Sequence, residues 1–142
     1  MKISDNKQVK KADWVFNWLG EIKQSDREVY KLVTLKNKNV IHGLTSLSDN
    51  NDHIFMHLIE NSKINKGAGK LYKGVAANLV AFGCKLAFEK GYDGVISFVA
   101  KSKLVEHYKI TLGAKQFSGN RMFIDTKEAT ELVKRYFKNF KL

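Results

Sequence analysis

The stretch from Lys70 to Gly91 constrains this chain more than any other: a loop dense in glycine and lysine runs without a break into a long apolar helix. Val75, Leu79, Phe82 and Leu86 recur at helical spacing and share one face, with Ala76, Val80, Gly83 and Ala87 as a small-residue stripe beside it. Asn78, Lys85 and Glu89 leave only a narrow polar edge, so the helix is expected to be buried over most of its circumference. Its start carries the chemistry. The first helical turn has N–H groups without intrahelical partners, and here they point at whatever approaches the turn Gly74–Ala76.

Before this helix the chain reads as strands. Val29–Leu35, Val40–Ser46 and His53–Ile59 are rich in β-branched, aromatic and apolar residues, separated by the polar turns Lys36–Asn39 and Leu47–Asp52. They predict an antiparallel meander. Residues 1–12 are expected to be frayed or weakly helical, and Trp14–Leu19 extended toward Ile22, with Gln24–Arg27 as a turn. After the helix, which ends at the glycines of Gly91–Gly94, comes the apolar strand Val95–Ala100. A strand, a crossover helix and a second apolar strand predict one parallel pair, between His53–Ile59 and Val95–Ala100. A helix over Ser102–Thr111 ends at Leu112-Gly113-Ala114, and a hairpin turns at Ser118-Gly119 between Lys115–Phe117 and Asn120–Ile124. Asp125 or Thr126 then caps a last helix with Ala129, Leu132, Val133, Tyr136 and Phe137 inward. The fold class is α+β: a mixed, mostly antiparallel central sheet flanked by helices, in a single domain over residues 1–142.

Charge is unevenly spread. Residues 1–60 carry nine Lys/Arg against eight Asp/Glu, and residues 61–142 carry sixteen against six, so +10 of the total +11 lies in the half that holds the glycine turn. Such a field attracts polyanions: nucleic acid, an anionic membrane surface or a phosphorylated cofactor. No apolar run approaches the ~20 residues that cross a bilayer, and the polar N-terminus has no signal-peptide core, so a cytoplasmic location is expected. The single cysteine, Cys84, is expected to be a buried, inert thiol. His53 and His57 are read as ordinary packing or surface residues, His107 as surface, and no metal site is expected.

Gly74-Val75-Ala76 opening the helix, the buried strand after it, and Tyr108 ahead of Leu112-Gly113-Ala114 together resemble the GNAT N-acetyltransferase superfamily, over residues 28–125. The superfamily's fingerprint is Gln or Arg, two residues, Gly, one residue, then Gly or Ala. Leu71 stands in the first position, and the Tyr108 motif is one residue longer than usual. The segment between Trp14 and Val29 is shorter than the two helices that often cover the acceptor there, which implies a reduced N-terminal region.

The resemblance implies an N-acetyltransferase that moves the acetyl group of acetyl-CoA to a primary amine, on a small molecule or a protein, by direct attack in a ternary complex. It implies cofactor contacts from Ile59, Lys70, Leu71, Lys73, Gly74, Val75 and Ala76. A pyrophosphate at the helix start is physically reasonable, the terminus alone contributing about 0.3–1 kcal/mol. The resemblance also places Tyr108 as the acid that protonates the departing thiolate, and Glu60 as a base near the end of the third strand. A phenol near pKa ~10 can protonate a thiolate near ~8.5 without being ionised itself. The competing reading is a basic nucleic-acid-binding or catalytically silent protein of the same fold, using Tyr72, Phe117, Phe123, Tyr136 and Phe140. A homodimer through Trp14, Trp18 and Tyr136-Phe137 is a further expectation.

Overall fold

The computed structural model describes residues 2–3, 8–65 and 74–142. Its strands are Lys2–Ile3 (β1), Glu28–Leu32 (β2), Gly43–Asp49 (β3), Ile54–Asn61 (β4), Ile96–Val99 (β5), Lys115–Ser118 (β6) and Arg121–Ile124 (β7). They form one sheet in the order β1-β2-β3-β4-β5-β7-β6. Every pairing is antiparallel except β4 with β5, the parallel pair predicted from the crossover. The helices are Trp18–Lys23 (α1), Val75–Glu89 (α2), Val105–Leu112 (α3) and Thr126–Tyr136 (α4). No helix among the described residues is long and apolar enough to cross a membrane.

The pleat sorts the core into two layers. On one face Ile54, Met56, Ile96, Phe98, Met122 and Ile124 are all buried, packed with Val80, Ala81 and Cys84 of α2 and Ala129, Leu132 and Val133 of α4. On the other face, Ile3, Val29 and Leu44 meet Trp14 and Trp18. The N-terminal segment thus covers β1 to β4 only. Among the described residues nothing covers that second face beyond β4, and Phe117 is 54% exposed there. Burial pushes the Cys84 thiol up to about 12, as an inert structural cysteine requires.

The N-terminal region departs most from expectation. Trp14–Leu19 is not extended: the Asn17 side chain accepts the Gly20 N–H at 3.1 Å and starts α1 one residue later. Ile3, expected to fray, pairs with Val29 as an edge strand and is 3% exposed. Trp14 and Trp18 are buried, so they offer no dimer patch, and Tyr136 and Phe137 pack against the larger core cluster. The first hairpin is also longer than predicted. β2 stops at Leu32 because Thr34 Oγ1 accepts from Asn37 N–H and Asn37 Oδ1 from Asn39 N–H, local bonds that compete with the ladder. β3 correspondingly runs on to Asp49, and the predicted turn at Leu47 begins at Asn50.

Candidate active site

The β4–β5 seam is closed at one end and open at the other. Its ladder consists of Ile54↔Ile96, Phe55↔Ser97 and Met56↔Phe98, after which β4 continues for five residues without a partner on that side. β5 itself ends one residue further on, at Val99, and a bulge lies on the other edge of β4. Ser46 pairs with Leu58 and Leu47 with Met56, so His57 is an extra residue, a bulge of the kind that bends a strand. A cavity of about 380 Å³ opens in the gap, with Phe16 at one wall and Leu104 and Tyr108 at another. That volume lies in the range of ligand sites, roughly 300–1,000 Å³.

Tyr108 reaches this cavity from α3, its ring edge-on to Phe98 at 5.4 Å. Burial raises its phenol above the usual tyrosine value. Gly113 fixes the end of α3 in the left-handed conformation (φ +69°), and a Cβ there would lie 2.7 Å from Glu128 Cγ. The Leu112-Gly113-Ala114 turn therefore locks α3 against α4 and with it the direction of Tyr108.

Glu60 also borders the cavity, at 5% exposure, but its oxygens are occupied. Oε2 accepts the Val15 N–H at 2.8 Å, and Oε1 accepts the Phe16 N–H at 3.0 Å and the Trp18 indole N–H at 2.9 Å. Glu60 ties the N-terminal segment across the end of β4. A base at Glu60 would weaken these bonds on taking a proton, which disfavours that role.

The predicted cofactor residues divide between described and undescribed parts of the chain. Ile59 lines the cavity. Gly74 caps α2 in the left-handed conformation (φ +74°), and the first helical bond runs from Asn78 N–H to Gly74 O at 2.9 Å. The N–H groups of Val75, Ala76 and Ala77 precede that ladder and have no partner within the helix, an arrangement that suits an anion. Val75 buries its side chain while Ala76 is exposed. A Cβ on Gly74 would lie 3.0 Å from the Tyr136 hydroxyl, so α4 brings a polar group to the turn that its inward-facing spacing did not reveal. Lys70, Leu71 and Lys73 lie outside the described residues.

His57, read from sequence as packing, lines the cavity with Tyr108. Its Nε2 is 2.8 Å from Ser48 Oγ and its ring meets Phe55 edge-on at 4.6 Å. Burial holds the imidazole below its ordinary value. Arg27 adds to that, while Glu21 and Asp26 oppose it. A bulge depends on strand register, which residue spacing alone does not carry. Among the described residues no three His, Cys, Asp or Glu side chains converge to hold a metal ion.

No protein-family profile matches the sequence, and no curated protein matches it significantly. The solved structures do match in fold. The AtaT–AtaR complex bound to DNA superposes with a TM-score of 0.57 at 20% identity, over 75% of this chain and 72% of that one. AtaTR bound with acetyl-CoA gives 0.54 at 18%, over 75% and 72%. Tetrahymena GCN5 gives 0.53 at 10%, over 74% and 71%. The chain has the fold of the GNAT acetyltransferases, its described residues forming a mixed seven-stranded sheet and four α-helices.

Proposed function

We propose that this protein is an acetyl-CoA-dependent N-acetyltransferase acting on a primary amine. The observation that carries the reading is the seam that opens after Met56↔Phe98 beside Tyr108. The main-chain groups of β4 that face β5 past Met56 have no strand partner, so they suit the amides of a pantetheine arm. The Val75, Ala76 and Ala77 N–H groups, with the Tyr136 hydroxyl beside Gly74, suit its pyrophosphate. A neighbour of the same fold was solved with acetyl-CoA, which supports the same cofactor here.

Bound acetyl-CoA supplies an activated thioester. The amine nitrogen attacks its carbonyl carbon, the C–S bond breaks, and the Tyr108 hydroxyl gives its proton to the departing sulfur. Glu60 contributes by fixing Phe16 at the cavity wall. Calorimetric titration with acetyl-CoA, followed by a screen of amine acceptors read by thiol release, tests the proposal. No binding of acetyl-CoA refutes it.

A second reading, nucleic-acid binding, is favoured by the half of the sheet that no described residue covers. Phe55, Phe117 and Phe123 line a cavity of about 640 Å³ there together with Arg121, which has no carboxylate partner among the described residues. Stacking rings beside a cation suit single-stranded nucleic acid. Fluorescence anisotropy with a single-stranded oligonucleotide at low and high salt tests it, and salt-independent or absent binding refutes it.

A further inference from the structure

Acyl transfer to an amine needs a proton acceptor, because an alkylamine arrives as an ammonium ion without a free lone pair. Among the described residues, four titratable side chains line the open half of the seam: His57, Glu60, Lys101 and Tyr108. Glu60 is held by three N–H donors. Lys101 is an exposed cation with no acceptor to offer, and Tyr108 carries the proton that the thiolate needs. His57 remains. It is the extra residue of the bulge, and it lines the cavity.

The neighbours of His57 suit one tautomer of the ring. Ser48 Oγ has one hydrogen, and it donates that to Asn50 Oδ1 at 3.3 Å. With that bond made, Ser48 accepts from His57 Nε2, 2.8 Å away, in the tautomer that carries the imidazole hydrogen on Nε2 and the lone pair on Nδ1. From its own strand the ring is packed by Phe55, and from β3 by Ser48. The charged groups facing it come from α1 and the turn before β2: Arg27, held by Glu21 at 3.1 Å and Asp26 at 2.9 Å. Burial and Arg27 disfavour the imidazolium and keep the resting ring neutral, and Glu21 and Asp26 partly offset them.

We propose that His57 is the general base, accepting through Nδ1 the proton of the acceptor ammonium, with Ser48 and Asn50 as positioning residues; this rests on the acetyltransferase reading. The ammonium loses one proton to Nδ1, and the neutral nitrogen forms the C–N bond as the C–S bond breaks. The second nitrogen proton, lost as the amide forms, balances the one that Tyr108 gives to sulfur. His57 returns its proton to solvent. The net products are an N-acetyl amide, a free thiol and one proton.

Two experiments test this. Nitrogen-15 NMR of the imidazoles in the free protein is expected to show His57 as the Nε2–H tautomer, with a pKa below that of an exposed histidine; an Nδ1–H tautomer overturns the proposal without any assay. In turnover, His57→Gln keeps a donor for Ser48 but has no proton-accepting nitrogen. It is expected to lower transfer to an alkylamine about 10²–10⁴-fold and to remove the acidic limb of the kcat/KM profile. Acetyl-CoA affinity stays unchanged, and transfer to an arylamine, neutral at pH 7, is nearly normal. Ser48→Ala is expected to lower alkylamine transfer less, and Ser48→Thr to restore it. Equal losses on both amines, or a retained acidic limb, sink the assignment of His57 alone. A wild-type protein that neither binds acetyl-CoA nor transfers its acetyl group sinks the parent reading as well.

Discussion

The two halves of the β4–β5 seam are built from similar strands and do opposite things. In the closed half Ile54, Met56, Ile96 and Phe98 are zipped in register and sealed under α2. In the open half β4 keeps its ladder with β3 through Ser46, Thr45, Leu44 and Gly43, yet loses β5 entirely. One inserted residue separates them. The difference teaches that stability and opening are handled by opposite edges of the same strand. β4 stays anchored through β3 while its other edge is released for a ligand.

The largest expected effect falls on the open half's cofactor end. Gly74→Glu puts a side chain where φ is +74° and the Tyr136 hydroxyl is 3.0 Å away, and adds a negative charge beside the first helix N–H groups. Acetyl-CoA binding by calorimetry should become undetectable; unchanged affinity breaks the proposed pyrophosphate site. Next comes Tyr108→Phe, expected to cost about 10²–10⁴-fold in kcat at unchanged acetyl-CoA affinity. In the parent enzyme the alkaline fall of kcat should lie above pH 10, since burial raises this phenol, and a limb well below that removes Tyr108 from the acid's role.

Glu60→Ala attacks the clasp rather than the chemistry. It strands the Val15 and Phe16 N–H groups and the Trp18 indole, for an expected loss of about 2–4 kcal/mol in denaturant unfolding. Residual protein that stays folded should still bind acetyl-CoA. A large catalytic loss with unchanged stability would return Glu60 to the role of base. The contrast between the halves is sharpest in a matched pair of truncations. Ile96→Ala, fully buried in the closed half, should cost about 2–5 kcal/mol, whereas Val99→Ala, 60% exposed where the seam ends, should stay within about 0.5 kcal/mol. Similar costs would mean that the seam is not divided as described.

Much of this was legible in residue order. The spacing of Val75, Leu79 and Phe82, the Asp125 cap and the turn at Ser118-Gly119 are local signals, and each appears in α2, α4 and the β6–β7 hairpin as expected. The parallel pair followed from a crossover helix between two apolar strands. Features set by long-range partners were not legible. Glu60 lies more than 40 residues from the three donors it holds, and Ile3 becomes a strand only by meeting Val29. The bulge depends on which residue of β3 faces which residue of β4. His57 therefore looked like one of two histidines on a regular strand.

The bulge at His57 has a consequence for how such a kink is kept or lost. It comes from a count of backbone units, so replacing any single side chain leaves it standing. Removing one residue between Met56 and Leu58 would instead restore an unbroken register with β3 and take the kink out of β4. The chemistry around the kink can thus drift one substitution at a time, whereas the kink itself is erased only by a change in chain length.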